Sequence, residues 1–288
     1  MKKMGSFLIA IAGGYLLILI LMYTFQNSLL FMPSKEIFQT PASAGLTAED
    51  TWIQTEDGVT LHGWYFPNES AELVVVLSHG NAGNISGRIA IAESLLRSGA
   101  SVLLYDYRGY GQSEGSPSES GLYKDIDAVV SYLKDEKGYT EWDMVMYGRS
   151  LGGAVAAYAA TKYDVRGLVL DSAFLNLRAM IRDVYPFIPS SLAKYQFPTD
   201  EYVKSLNPEM PVVVLHSPDD RIVKIEQGRK LYDLIEDPKL FVELRGGHND
   251  NFFASRDLIE EIWTFYIRGL CDNCSMEART GRTRQRPQ

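Results

Sequence analysis

The sequence predicts an α/β fold in which helices cover both faces of a mostly parallel sheet, preceded by one membrane-spanning helix. Three observations support this prediction. Short, continuously apolar segments alternate with helix-like segments from about residue 73 onward, as expected for strands buried on both faces. A hairpin pattern of alternating apolar and polar residues comes before them. An uncharged apolar segment of membrane-spanning length comes before the hairpin.

The apolar segment lies at the start of the sequence. No residue from Met4 to Ser34 is charged, and Phe7 to Tyr23 is almost entirely aliphatic or aromatic. A cleaved signal peptide has a shorter apolar region, of about 7–15 residues, with a small-residue cleavage site directly after it. The nearest such site, Ala42-Ser43-Ala44, lies too far downstream. The segment therefore predicts an uncleaved signal anchor that crosses the membrane once.

The charges that flank this anchor predict its orientation. Lys2 and Lys3 precede the apolar segment, and the next charged residue is Lys35. Positive residues are enriched on the cytoplasmic side of membrane helices. We therefore expect a cytoplasmic N-terminus and a globular part on the periplasmic or lumenal side.

An antiparallel hairpin follows the anchor. Thr51–Thr55 and Val59–Phe66 alternate in polarity and flank the turn Asp57-Gly58. Buried strands are then predicted at Leu73–Leu77, Ser101–Tyr105, Met144–Tyr147, Gly167–Leu170, Pro211–Leu215 and Leu240–Leu244. Helices are predicted at Ile85–Leu96, Gly121–Leu133, Leu151–Lys162, Ile225–Ile235 and Phe252–Ile267. This alternation implies right-handed crossovers, with functional residues at the carboxyl ends of the strands.

One interval breaks the alternation. Phe174 to Glu209 contains four prolines and is too long for a simple crossover. We interpret it as a small cap inserted over the strand ends, with a disordered linker as the alternative. The expected organisation is thus an anchor and juxtamembrane segment at 1–34, a globular domain at 35–270 and a polar, disordered tail at 271–288.

Composition limits the classes of partner. The chain is 46% hydrophobic and 22% charged, as in globular proteins, with a formal net charge of −8. Four late arginines belong to the predicted tail, so the folded part is more acidic than the total indicates. They are Arg279, Arg282, Arg284 and Arg286. We expect no nucleic-acid partner.

The two cysteines, Cys271 and Cys274, form a C-x-x-C pair near the end of the chain. Such a pair can be redox-active or half of a zinc site. No second pair exists and no histidine follows, so we predict a surface disulfide or two unused thiols rather than a metal site.

A serine between two glycines carries the strongest chemical signal. The segment V-M-Y-G-R-S-L-G-G-A-V places Ser150 between Gly148 and Gly152, after a predicted strand and before a predicted helix. A turn this sharp strains its central residue and presses the backbones together, so side chains at 148 and 152 would collide. The hydroxyl then points outward, and the N–H of Leu151 lies at a helix N-terminus, where it can donate to a developing negative oxygen. Ser150 is therefore the predicted nucleophile.

A serine nucleophile needs a base and an acid that orients the base. His62 lies in the hairpin, His79 precedes the serine and His216 lies before the acidic loop. Only His248 follows the final strand, where the chain order serine, acid, histidine places the base. The segment H-S-P-D-D-R-I-V offers two acids after the penultimate strand. We predict Asp220 as the acid and Asp219 as a turn or capping residue.

A second donor to the negative oxygen is expected after the first parallel strand. There the segment H-G-N-A-G-N, residues 79–84, has glycines that let the backbone approach a substrate. We predict that the backbone N–H of Asn81 is this donor. The segment also suits a turn that caps the next helix through Asn84. His79 is expected to brace the loop.

Five ordered motifs resemble those of the alpha/beta-hydrolase superfamily, from about Thr51 to Leu270. They are H-G-N-A-G-N, Y-D-Y-R-G-Y-G-Q-S-E-G, Y-G-R-S-L-G-G, H-S-P-D-D-R-I-V and G-G-H-N-D. Together they look like the single-pass, membrane-anchored alpha/beta-hydrolase domain-containing subgroup, which is related to serine-aminopeptidase-like hydrolases. The family more often has glycine where Ser217 stands.

The resemblance implies an eight-stranded, mostly parallel sheet and a triad of Ser150, Asp220 and His248, with no metal or organic cofactor. It also implies a small-molecule or lipid-like acyl ester or thioester substrate. The predicted function is therefore a membrane-anchored serine hydrolase. The alternatives are a serine peptidase and a catalytically silent, membrane-tethered binding protein on the same fold.

The glycine-rich segment R-G-Y-G-Q-S-E-G follows a predicted strand, as a nucleotide-binding loop would. The glycines of R-G-Y-G-Q-S-E-G fall at 109, 111 and 115, so the third glycine comes one position late for a dinucleotide fingerprint. The sequence therefore does not favour nucleotide binding.

Overall fold

Eight strands form one sheet in the computed structural model, which describes residues 2–280. Ten strands are present among these residues: β1 (Met32–Pro33), β2 (Glu49–Gln54), β3 (Thr60–Phe66), β4 (Val74–Ser78), β5 (Ala82–Gly83), β6 (Ser101–Tyr105), β7 (Met144–Arg149), β8 (Gly167–Asp171), β9 (Val212–His216) and β10 (Lys239–Glu243). The order in the large sheet is β10-β9-β8-β7-β4-β6-β3-β2. The hairpin strands β2 and β3 are antiparallel, and all pairs from β6 to β10 are parallel. The predicted α/β fold with a mostly parallel sheet is confirmed.

The described residues also form ten α-helices: α1 (Lys2–Thr24), α2 (Gln26–Leu30), α3 (Ile89–Arg97), α4 (Glu119–Asp135), α5 (Leu151–Lys162), α6 (Leu177–Val184), α7 (Thr199–Val203), α8 (Ile225–Leu234), α9 (Asn251–Ala254) and α10 (Arg256–Thr280). Short 3-10 turns occur at Ala42–Ala44, Ile85–Arg88, Glu141–Asp143 and Ser190–Leu192. The last helix reaches Thr280, so the first ten residues of the predicted tail at 271–288 are helical. Residues 281–288 and the side chains of Cys271 and Cys274 lie outside the described part of the chain.

Helices cover both faces of the sheet, as the apolar strands predict. Alternate residues of β4 show this directly, because Val74 and Val76 pack in one core and Val75 and Leu77 in the other. All four side chains are fully buried. Strands of this kind carry no polar face, which is why their sequence shows no alternation.

The N-terminal helix α1 differs from the others in its exposure. Its segment Lys3–Thr24 has a mean hydropathy of 2.3 over its most apolar window, of which 0% is buried. By length and composition it can cross a membrane.

The chain joins the globular core directly after α2. Phe31 is 3% exposed and packs in one of the two cores. The short strand β1 then pairs in parallel with β5, at Met32 to Ala82 and Pro33 to Gly83. Strands of two residues leave no periodicity in the sequence, and this pairing was not predicted. The globular core thus includes residues from the end of the predicted 1–34 segment.

The interval between β8 and β9 contains α6, a 3-10 turn and α7. The backbone N–H groups of Gln196 and Phe197 both donate to the carboxylate of Glu119 on α4, at 2.7 Å. Phe197 is fully buried. These contacts join the interval, called the cap below, to the body of the domain.

Candidate active site

Ser150 lies in the strained turn that the two glycines predict. Its φ of 51° and ψ of −115° are unusual for a residue with a side chain. A Cβ at Gly148 would lie 2.3 Å from the carbonyl oxygen of Gly152, and one at Gly152 would lie 1.9 Å from that of Ser78. The turn therefore requires glycine at both positions, because the backbones of β7, α5 and β4 meet there.

This contact predicts a large loss of stability for Gly152→Ala. The added methyl group meets backbone atoms that cannot rotate away, so we expect the free energy of unfolding to fall by about 3 kcal/mol, at the upper end of the usual cost of overpacking. Gly87→Ala is the matched control, since a Cβ there would meet only the ring of Phe38 at 3.6 Å. Urea denaturation of both variants checks this. Equal stability of the two would contradict the proposed crowding.

The structure brings the three predicted catalytic side chains together. Nε2 of His248 lies 3.1 Å from Oγ of Ser150, and Nδ1 lies 2.6 Å from Oδ2 of Asp220. Ser150 is 8% exposed and the His248 side chain 9%, so little of either group faces open solvent. In this arrangement the imidazole can remove the proton of the hydroxyl, and the carboxylate can stabilise the imidazolium that forms.

The loop after β9 holds the carboxylate of Asp220 in an ionised form. Burial raises its pKa, but the hydrogen bond with His248 and those from the N–H groups of Val223 and Ile222 outweigh burial. The net effect is a pKa below the ordinary value. The neighbouring Asp219 is exposed, and its backbone N–H donates to Oγ of Ser217.

Ser217 occupies the position where the sequence departs from the resemblance. Its hydroxyl donates to the carbonyl oxygen of Gly246 at 2.5 Å. The hydrogen bond joins the loop of the acid to the loop of the histidine. A glycine there would lack it.

The other histidines do not reach Ser150 in the structure. Nε2 of His216 donates to the carbonyl oxygen of Val223 at 2.8 Å, and burial lowers the pKa of this imidazole. His62 contacts Asp50 at 3.0 Å. His79 is fully buried beside Asp106, with Nε2 3.3 Å from Oδ1, and its other ring nitrogen contacts the carbonyl of Gly80 at 2.7 Å.

Two backbone groups were predicted as donors to a negative oxygen. Leu151 is the first residue of α5, where N–H groups have no partner within the helix. A Cβ on Gly80 would lie 3.7 Å from Cβ of Ser150, so the loop of Asn81 passes close to the serine. Asn81 is held by its side-chain amide, which donates to Leu30, and by its carbonyl, which accepts from Met32 and Tyr110. None of these bonds uses its N–H.

A buried polar cluster behind the histidine was not predicted. Nη1 of Arg149 donates to Oδ2 of Asp171 at 2.5 Å, and Nη2 donates to Oδ1 of Asn251 at 2.8 Å and to the carbonyl oxygen of His248. Tyr147 also donates to Asp171. Arg149 stands at the variable position of G-x-S-x-G, and a charged residue at the end of an apolar strand was the signal that could have revealed it.

This cluster is ionic despite its burial. Desolvation lowers the pKa of Arg149, but the charge of Asp171 outweighs it, and the net pKa is raised. Burial raises the pKa of Asp171, but the charge of Arg149, together with hydrogen bonds from Tyr147 and Ser172, more than offsets burial, and the net pKa is lowered. Arg149 therefore fixes the backbone of His248 through a charged group that is itself held by Asp171 and Asn251.

Among the described residues, no group of three or more His, Cys, Asp and Glu side chains is arranged to hold a metal ion.

Comparison with known proteins identifies the family of this chain. The profile of the family described as Hydrolase_4, serine aminopeptidase S33, matches residues 69–206, which contain the loop of Asn81 and the turn of Ser150. The Saccharomyces cerevisiae protein named uncharacterized membrane protein YNL320W is 35% identical over 240 residues, or 80% of this chain and 84% of that protein. The Arabidopsis thaliana alpha/beta hydrolase domain-containing protein WAV2 is 36% identical over 62% of this chain and 60% of its own. The chain belongs to the alpha/beta-hydrolase superfamily.

Solved structures with the same fold extend this result. This alpha/beta-hydrolase superposes on the Pyrococcus furiosus esterase Pf2001 with a TM-score of 0.67 at 21% identity, over 85% of this chain and 97% of that one. The Exiguobacterium antarcticum esterase EaEST gives a TM-score of 0.60 at 18% identity, over 76% and 100% of the two chains. At these identities the likeness establishes the fold of this alpha/beta-hydrolase.

Proposed function

We propose that this chain is a membrane-anchored serine hydrolase that cleaves carboxylic ester or thioester bonds. The observation that carries the proposal is the continuous contact from Ser150 through His248 to Asp220, at 3.1 and 2.6 Å. A role as a silent binding protein requires no such arrangement. The superfamily membership supports hydrolysis, and two of the structural neighbours are esterases.

In the proposed mechanism, Oγ of Ser150 attacks the carbonyl carbon of the substrate while Nε2 of His248 takes the hydroxyl proton. Asp220 keeps a proton on Nδ1 and stabilises the imidazolium. The N–H groups of Leu151 and Asn81 donate to the carbonyl oxygen as it becomes negative, and such a donor contributes about 2.7–4 kcal/mol to the transition state.

The intermediate then collapses. The bond from the carbonyl carbon to the leaving oxygen or sulfur breaks, and His248 returns its proton to the leaving group. A water molecule repeats the sequence on the acyl-enzyme, with its proton passing to His248, and releases the acid with Ser150 restored.

The anchor completes the proposal. The exposed apolar helix α1 spans the bilayer once, with the N-terminus in the cytoplasm and the catalytic domain on the periplasmic or lumenal side. The yeast relative carries the words membrane protein in its name, which supports the anchor.

A fluorophosphonate probe tests the nucleophile. We expect it to label the wild-type chain and to leave Ser150→Ala unlabelled, because the probe needs an activated serine. Ser205→Ala is the control and should stay labelled, since the hydroxyl of this exposed serine contacts only the carbonyl of Glu201, at 3.3 Å. Circular dichroism establishes that each variant is folded. Absence of labelling in folded wild type would favour the silent binding protein.

The family description, serine aminopeptidase, favours one second candidate, a peptidase. Turnover of p-nitrophenyl esters compared with aminoacyl p-nitroanilides separates the two. We expect ester cleavage to dominate. Faster release from the anilides would assign the site to peptide bonds.

A further inference from the structure

The tip of the cap, residues 184–189, is an uncharged segment with the sequence V-Y-P-F-I-P, exposed except for the buried Ile188. Val184 is 42% exposed, Tyr185 43% and Phe187 61%. Large apolar side chains that are exposed together mark a contact surface rather than ordinary solvent-facing loop.

The cap tip and the residues after it lie against the proposed membrane anchor. The hydroxyl of Tyr15, in α1, donates to the carbonyl oxygen of Phe187 at 2.6 Å. Gln26 contacts both Leu192 and Lys194 beyond the tip. The ammonium of Lys194 also lies 4.4 Å from the centre of the Tyr23 ring.

These contacts define a depth along the anchor. Tyr15 precedes Thr24, the last residue of α1, by nine positions, which is about 13 Å along a helix axis. If Lys3–Thr24 spans the hydrocarbon, then Phe187 lies inside the bilayer and not on its surface.

Most of the backbone N–H groups of the tip, though not that of Phe187, are bonded or absent, which lowers the cost of that position. Irregular backbone can enter hydrocarbon only where its polar groups are bonded. Pro186 and Pro189 have no N–H, and the N–H groups of Tyr185 and Ile188 donate to Ile181 and Tyr185. The carbonyl of Phe187 accepts the hydroxyl of Tyr15.

Charged side chains flank the tip without entering it. Arg178 and Arg182 precede it and are exposed, and Lys194 follows it. Asp183, directly before the tip, is turned to Gln227 and Lys224 of the domain, at 2.8 and 3.9 Å. Cations in this arrangement suit the phosphate groups at the surface of a phospholipid bilayer.

The strand that leads into the cap, β8, adjoins the nucleophile. The carbonyl of Asp171, just before the cap, accepts the N–H of Ser150 at 2.8 Å. Residues 172–183, which include most of α6, therefore connect the tip to the strand beside Ser150.

We propose that the cap tip inserts into the same bilayer as α1, and that long-chain acyl substrates reach Ser150 laterally from the membrane. The proposal rests on the membrane-anchored hydrolase proposed above, and it assigns the substrate to lipid-resident acyl esters or thioesters. The occupant of the exposed surface is thus the acyl region of a phospholipid bilayer.

Quenching of tryptophan fluorescence by brominated lipid tests the insertion without measuring activity. The full chain is reconstituted into phosphatidylcholine vesicles with or without bromine on the acyl chains, and the emission of wild type is subtracted from that of each tryptophan variant. Phe187→Trp is the test, Phe7→Trp in α1 is the positive control, and Leu240→Trp is the negative control. Leu240 lies near the amino end of the edge strand β10, whereas the cap follows the carboxyl end of β8.

We expect brominated lipid to remove most of the added emission of Phe187→Trp and Phe7→Trp, and none from Leu240→Trp. Quenching of Phe7→Trp without quenching of Phe187→Trp would overturn the insertion and leave the anchor standing. A tip that is buried against a second protein would give that same result. No quenching of Phe7→Trp would refute the anchor and this inference with it.

A substrate comparison tests the lateral route. Phe187→Asp places a charge where lipid is expected, so turnover of a long-chain ester embedded in vesicles should fall at least about tenfold relative to p-nitrophenyl acetate. Each rate is divided by the fraction of chains that a fluorophosphonate labels, and the two rates are then compared. An unchanged ratio would overturn the lateral route, even where hydrolysis itself is established.

Discussion

Asp220→Asn is expected to lower kcat on a p-nitrophenyl ester by about 10⁴-fold, the effect of losing the acid of a triad. The carboxylate lies 2.6 Å from Nδ1 of His248. An amide there can donate its own hydrogen to Nδ1, which moves the imidazole proton to Nε2. The nitrogen that faces Ser150 then cannot accept the hydroxyl proton.

Asp219→Asn is the matched control, because the same chemical change is made one residue earlier. Asp219 is exposed, and its hydrogen bond to Ser217 uses the backbone N–H. We expect nearly wild-type turnover. Similar losses in both variants, or near-normal turnover in Asp220→Asn, would show that the acid has been assigned to the wrong residue.

Arg149→Met is expected to lower the free energy of unfolding by about 3–5 kcal/mol, because it leaves Asp171 charged and buried without its partner. Asp171 is fully buried, and Arg149 is 7% exposed. Thermal denaturation and chemical denaturation both measure this effect. The fluorophosphonate labelling rate should also fall, since the carbonyl of His248 loses the guanidinium that holds it.

Two further variants separate stability from positioning. Adding Asp171→Asn to Arg149→Met removes the unpaired charge, so we expect part of the stability to return while labelling stays slow. Arg229→Met breaks a pair whose side chains are both 54% exposed, and it should cost no more than about 1 kcal/mol. Full recovery of labelling in the double variant would show that Arg149 does not position His248.

The strands and the strained turn could be predicted because their causes are local. Apolar runs such as Leu73–Leu77 identify buried strands, and the glycines at 148 and 152 follow from backbone contacts at the turn. The order of serine, acid and histidine along the chain also selected His248 and the loop that carries Asp219 and Asp220, and the structure places Asp220 within hydrogen-bonding distance of His248.

Features that depend on distant partners could not be predicted. Arg149 occupies a position of G-x-S-x-G at which the motif specifies no residue type. Its role follows only from contacts with Asp171, Asn251 and the backbone of His248. The interval Phe174–Glu209 shows four prolines and no motif, so its contact with Tyr15 needed the fold. Phe252–Ile267 was predicted as one helix, but Ser255 separates α9 from α10.

The pairing of β1 with β5 has a practical consequence for making a form of this hydrolase that lacks α1. Removing residues 1–34 to discard the proposed membrane anchor would also remove Leu30, Met32 and Ser34, which bond to Asn81, Gly83, Asn84 and Gly111. The loop that presents Asn81 would lose its outer support, so such a truncated protein would be a poor representative of the native catalyst. A cut before Gln26 would keep that support.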